Sequence, residues 1–279
     1  MILRRSFLAG AAAFTALPHF ARAAESRVTF SASLEQGSLV IGKTDANARV
    51  AVDGTKVLVS PAGQFAFGFA YDQTKPASIA FSYADGTSET RDVMPVARQY
   101  EIQSITGLPE KFVTPPPEEL ARIKREGAAI VEARTRDTDA AFFADGLIWP
   151  VPGIISSLFG SQRVLNGVPK EPHMGVDIAA PQGTPIHAPA GGIVSLAEPD
   201  FYFDGGITLL DHGHGVSTCY VHQSKLLVKA GDKVARGDVI GLVGMTGRAT
   251  GPHLHWGLNL FQLKLDPSRS TPSSAPPKA

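Results

Sequence analysis

Apolar and polar side chains alternate with period two through residues 24–97: Val50 and Val52, then Phe65, Phe67 and Phe69, then Ile79, Phe81 and Tyr83. Each run puts its apolar set on one face of a β-strand. Asp53-Gly54, Pro61-Ala62-Gly63 and Asp85-Gly86 separate the runs with turn chemistry. This predicts an immunoglobulin-like β-sandwich module over 24–97. It carries no cluster of His, Cys or paired carboxylates, so it is read as a structural or binding module and not a catalytic one.

The period then changes. Residues 98–146 read as a linker in which Thr114-Pro115-Pro116-Pro117-Glu118-Glu119 makes a stiff entry whose prolines and acids suit a first helical turn. Leu120, Ile123, Ile130 and Val131 then share one face, with Arg122, Lys124, Arg125 and Glu126 opposite, which predicts one amphipathic helix over 117–135 with a solvated charged side. From residue 147 the pattern is β again, as Gly192-Ile193-Val194, Gly206-Ile207-Thr208-Leu209-Leu210 and Asp238-Val239-Ile240-Gly241-Leu242-Val243 show. The mainly β second domain is expected over 147–270, followed by a Pro/Ser-rich, disordered tail at 271–279.

Composition sharpens this picture in three ways. The 279 residues suffice for two domains with their own cores, and a single cysteine, Cys219, excludes disulfide frameworks, thiolate zinc knuckles and CxxC redox sites. Lys and Arg total 26 against 26 Asp and Glu, a balance that argues against a nucleic-acid binder. Residues 1–23 carry Arg4, Arg5 and Arg22 but no acid, so their removal would leave 23 basic against 26 acidic groups.

That first segment has its own signature. Arg4-Arg5, the apolar stretch from Phe7 to Leu17 and the small-residue site Ala21-Arg22-Ala23 form a secretory signal peptide pattern, with cleavage expected after Ala23. Arg4-Arg5-Ser6-Phe7-Leu8 also resembles a twin-arginine export signal. The apolar run is short for a membrane span, so the mature protein is expected in the periplasm or cell envelope without stable membrane insertion.

Seven of the eight histidines lie between His173 and His255. Three motifs stand out: His173-Met174-Gly175-Val176-Asp177, Tyr220-Val221-His222 and His253-Leu254-His255. Imidazole nitrogen and carboxylate oxygen suit zinc. A fully extended chain would separate His173 from Asp177 by about 13 Å, so the chain must bend between them, and Gly175 offers the bend. His253 and His255 share one face of a strand, and spacing leaves open whether one or both bind metal.

The combination resembles the LytM/lysostaphin-type zinc metallopeptidases. The shared frame runs through Ser157-Leu158-Phe159-Gly160, Arg163, Asn166-Gly167, His173 to Asp177, Ala180-Pro181-Gln182-Gly183-Thr184-Pro185, Asp211-His212-Gly213, Tyr220-Val221-His222 and Gly247-Arg248-Ala249-Thr250-Gly251-Pro252-His253-Leu254-His255. The resemblance implies an antiparallel β-sheet peptidase domain of the duplicated hybrid type and hydrolysis of peptidoglycan stem or cross-bridge peptides. It also implies Zn2+ held by His173, Asp177 and His255, and His222 and His253 as catalytic histidines whose proton-transfer roles stay undivided. Arg163, Asn166 and Tyr220 are candidate substrate contacts.

The remaining motifs are read as structural. His212 and His214 sit among glycines as in a hairpin, His187 lacks a partner motif, Cys219 is a small core residue, and Trp149 and Trp256 are packing residues. A competing reading is a non-enzymatic scaffold that binds peptidoglycan or activates another wall hydrolase, and such hydrolases are also the regulatory partners to expect. Val228 to Val234 and Gly237-Asp238-Val239-Ile240 resemble biotinyl and lipoyl carrier repeats, but no lysine stands at a suitable hairpin tip.

Overall fold

A computed structural model describes residues 26–31, 33–273 and 275–278; the export signal expected over 1–23 lies outside the described residues. The protein is mainly β, as its pattern predicts. In the amino-terminal module the strands Thr29–Phe30, Leu39–Lys43 and Gln64–Gly68 form one sheet, and Thr55–Val57, Arg49–Val52, Ala77–Ser82 and Ser88–Val93 form another. Along Ala77–Ser82 the alternation is strict: Ala77, Ile79 and Phe81 are buried while Ser78, Ala80 and Ser82 are exposed. They meet Val40, Phe65, Phe67 and Phe69 in a core shared by both sheets.

Gln64–Gly68 is buried on both faces, which tells where this module sits. Phe65 and Phe67 fill the module's own core, while Ala66, with Leu39 of the neighbouring strand, joins the core of the second domain. Arg98 clamps the junction, donating to the Gln36 carbonyl at 3.2 Å and pairing with the buried Asp266 carboxylate at 2.9 Å. Breaking such a charge pair on one side strands the other charge, so the contact fixes one mutual placement.

The second domain is built on a large antiparallel sheet in which Lys233–Val234, Gly192–Phe201, Gly205–Gly213, Val216–Gln223, His253–Leu260, Val176–Ala179 and Ile154–Ser157 follow one another. Register sets its two faces. Val176, Trp256 and Tyr220 stand in one row and are fully buried in the main core. One residue along, Ser157, Asp177, His255 and Val221 form a row on the opposite face. Period-two geometry therefore delivers an apolar core and a polar, chemistry-bearing surface from the same strands.

The linker departs from expectation. Its helix, Pro117–Ala133, starts where predicted, but Ala129, Ile130 and Ala133 pack on Leu209, Cys219 and Val221, while Leu120 and Val131 are exposed. Arg122 is not simply solvated: it pairs with Glu126 and reaches Asp200, which ties the helix to the sheet. Upstream, Ile102–Ile105 forms a parallel pair with Gln162–Leu165 that no periodicity signalled. In the carboxy-terminal segment Trp149 Nε1 donates to the Ser273 carbonyl at 3.1 Å and Gly153 N to that of Pro277 at 2.9 Å. Among the described residues no helix is long and apolar enough to cross a membrane.

Candidate active site

Gly175 is the bend that spacing demanded between His173 and Asp177. Asp177 then enters the strand Val176–Ala179 directly opposite His255. A side chain at Gly175 would put its Cβ 2.6 Å from His255 Nε2, so the bend must also be bare. Three ligating atoms converge: His173 Nε2 lies 3.0 Å from Asp177 Oδ1 and 2.9 Å from His255 Nδ1, and His255 Nδ1 lies 2.8 Å from Asp177 Oδ1. Among the described residues this is the one group of three or more His, Cys, Asp or Glu residues with ligating atoms so close together.

The electrostatics suit a cation. Burial works against ionisation of Asp177, yet the facing His173 and His255 imidazoles hold its carboxyl well below the usual carboxylate range. Burial lowers the His255 imidazole, against the pull of Asp177, and so favours the neutral ring that a metal needs. Two imidazole nitrogens and one carboxylate oxygen, clustered with no fourth such donor among the described residues, match a metal site that keeps a position open for substrate. Arg163 Nη2 lies 2.7 Å from Asp177 Oδ2, away from the shared Oδ1, and so fixes the carboxylate's orientation.

The two remaining motif histidines stand beside this group. The His222 and His253 rings are 4.7 Å apart, and His222 is 6.4 Å from His255. Strict alternation would turn His222 to the core face with Tyr220. Its φ of +65° interrupts that alternation near the end of the strand, and the ring stands on the side of His253 and His255. His222 Nδ1 donates to the Thr246 carbonyl and His253 Nδ1 to that of Gly251, both at 2.8 Å. Because a carbonyl only accepts, each neutral ring keeps its free lone pair on Nε2. Burial, reinforced by His253 and His255, pushes the His222 imidazole down to about 3.

A cavity of about 440 Å³ opens on the group, lined by His173, His222, His255, Arg163 and Arg248, and also by Ile130 of the linker helix and Arg134 at its end. Arg163 thus touches both the cavity and Asp177. Asn166 and Tyr220 do not line it. Both ends of the Asn166 amide hold the Leu108 backbone, and the Tyr220 hydroxyl is buried 2.7 Å from Thr218 Oγ1. His212 lies in that same buried chain, between the Gly191 carbonyl and Thr218 Oγ1. His214 has a φ of +51° and turns the hairpin.

Sequence reasoning missed the groups behind the ligands. Ser157 belonged to the recognised frame but was given no role, and it stands 2.8 Å from His173 Nδ1. Its place opposite Asp177 is set by strand register, which the sequence does not record.

Residues 171–267 match Peptidase family M23. A Pseudomonas aeruginosa chain assigned to peptidase M23 has a crystal structure similar to this one at a TM-score of 0.66 and 32% identity, covering 85% of this chain and 95% of that one. Peptidoglycan DD-endopeptidase ShyA of Vibrio cholerae is 47% identical over 106 residues, 37% of this chain and 24% of ShyA. Cell division protein DipM of Caulobacter vibrioides is 33% identical over 147 residues, 52% of this chain and 22% of DipM. The aligned part is thus about a quarter of the length of these curated relatives.

Proposed function

The chain belongs to peptidase family M23, and from that premise we propose that it is a zinc-dependent endopeptidase that hydrolyses peptide cross-links of bacterial peptidoglycan. The observation that carries the reading is the convergence of His173 Nε2, Asp177 Oδ1 and His255 Nδ1 beneath an open cavity. The substrate class is supported by the similarity of this part of the chain to a peptidoglycan endopeptidase. The cavity wall adds to it: Arg134, Arg163, Lys170, Arg248 and Lys264 outnumber Glu171 and Asp204, which suits the free carboxylates of wall peptides.

When bound by these three residues, zinc supplies Lewis acidity that polarises a peptide carbonyl and acidifies a water molecule. The chain's own histidines handle the protons. One of His222 and His253 accepts the proton of the attacking water at its free Nε2 and passes it to the leaving amine. The other, once protonated or turned as donor, holds the developing oxyanion. The backbone carbonyls of Thr246 and Gly251 keep both rings in the tautomer that begins this cycle. Arg163 keeps Asp177 oriented, and its guanidinium also faces the cavity, where a substrate carboxylate would meet it.

Residues 1–23 serve export to the periplasm or cell envelope in this reading, where the substrate lies; their charge and apolar pattern supports it. The test is digestion of purified sacculi followed by mass spectrometry of the fragments, with His255→Ala as control. New amine ends released by the wild type alone are the expected result. Sacculi left intact by the zinc-loaded wild type would leave the non-enzymatic scaffold reading in front.

A further inference from the structure

His173 is held from behind by a chain of polar groups that ends outside the peptidase sheet. Its Nδ1 lies 2.8 Å from Ser157 Oγ and 3.2 Å from the Leu158 carbonyl. Ser157 Oγ is in turn 2.6 Å from Gln103 Oε1, and Gln103 Nε2 donates to the Ser156 carbonyl at 3.3 Å. Gln103 comes from the linker strand Ile102–Ile105.

The direction of every proton in this chain follows by elimination. The Ser156 carbonyl only accepts, so the Gln103 amide nitrogen faces it and the amide oxygen faces Ser157. That oxygen only accepts, so the single hydroxyl proton of Ser157 points to Gln103. Ser157 Oγ is left as an acceptor toward His173, and so is the Leu158 carbonyl. His173 therefore carries its proton on Nδ1, which leaves the Nε2 lone pair facing Asp177 and His255.

Register gives the linker strand a second connection to the same centre. Gln103 pairs with Arg163 across the short parallel ladder, and Arg163 holds Asp177. Two residues at one rung thus support two different ligands from behind.

We propose that Gln103 is a positioning residue for the metal centre: through Ser157 it locks His173 in the Nδ1-protonated tautomer and so strengthens metal binding. The inference rests on the assignment of His173 as a zinc ligand. Gln103 does not line the cavity that opens on the ligands, so its removal leaves the substrate groove as it is.

The test uses the full chain and its Gln103→Leu, Gln103→Glu, Ser157→Ala and Gln103→Leu/Ser157→Ala variants. Zinc is titrated against a chromogenic chelator, and thermal unfolding of each metal-free chain is followed in parallel. Gln103→Leu is expected to weaken zinc binding about 10- to 100-fold with unchanged metal-free melting. Gln103→Glu, which still accepts from Ser157, is expected to bind zinc within a few-fold of wild type. In the Ser157→Ala background, Gln103→Leu is expected to add no further loss, because both act along one chain. Wild-type zinc affinity in Gln103→Leu, or losses that add in full, would overturn the proposal. So would a fall in metal-free melting that Gln103→Glu does not restore, since Gln103 would then be merely structural. A wild-type chain that takes up no zinc would overturn the ligand assignment itself, and the proposal with it.

Discussion

Asp177 and His255 stand directly opposite each other on neighbouring antiparallel strands, with Oδ1 and Nδ1 2.8 Å apart. Facing positions of a ladder are where side chains meet, so two of the three proposed ligands are brought together by register alone. The third, His173, arrives through the bend at Gly175.

The metal set is tested by removing its only anion. Asp177→Ala is expected to reduce bound zinc from about one ion per chain to a small fraction of that, because two imidazoles alone make a poor site. Metal analysis of the dialysed protein reads the result.

Gly175→Ala tests the bend. Its Cβ would lie 2.5 Å from His255 Cε1, a distance that forces the ring away. Chelator competition is expected to show zinc affinity lower by about tenfold or more, as for other displaced ligand geometries, while circular dichroism stays that of a β protein.

His222→Ala and His253→Ala separate proton transfer from metal binding. Each is expected to retain zinc and lose about 10²- to 10⁴-fold in kcat on a cross-linked peptide substrate. Loss of zinc in either variant would mean that both histidines of the His253-Leu254-His255 pair, or His222, act as ligands.

Tyr220→Phe decides between groove and core. The hydroxyl is buried in the chain with Thr218 and His212, so the variant is expected to lose about 1 kcal/mol of stability by urea unfolding, with KM unchanged. A raised KM at unchanged stability would restore Tyr220 as a substrate contact.

His212 makes stability depend on pH. Burial lowers its imidazole below the ordinary 6.5, so the folded chain keeps it neutral where the unfolded chain takes up a proton. Its contribution is therefore complete above about pH 6.5 and is lost as pH falls below that, at about 1.4 kcal/mol per pH unit for one full proton. Urea unfolding of the metal-free chain between pH 7 and 5 is expected to show a fall to which the buried His222 and His255 also contribute, and which is shallower in His212→Gln by up to that slope.

Much of the site was legible in the sequence because its residues are local signals. His173, Gly175, Asp177, His253 and His255 sit in short motifs whose spacing already demanded a bend and a shared strand face. Arg163 was legible as part of the frame, but its grip on Asp177 depends on a strand pairing that brings residues 162–165 beside 102–105. Asn166 and Tyr220 matched the frame equally well, and only their partners reveal that one braces the linker and the other fills the core.

The linker shows the same division. Its helix was predicted from periodicity, yet the face it buries is set by Ala129, Ile130 and Ala133 meeting Cys219 and Val221, with the larger Leu120 and Val131 left outside. The strand at 102–105 is too short for a period to declare itself, so its pairing and the reach of Gln103 toward His173 could not be read from the chain.

By itself, then, the sequence determined the mainly β class, the residues of the candidate metal site and the local turns that position them, since these depend on residue type and on neighbours a few places away. Tertiary structure alone decided which polar groups stand behind the proposed ligands, which side of the sheet His222 faces and what lines the cavity. Those depend on register between distant strands and on one left-handed backbone angle, and hydrophobic period carries no record of either.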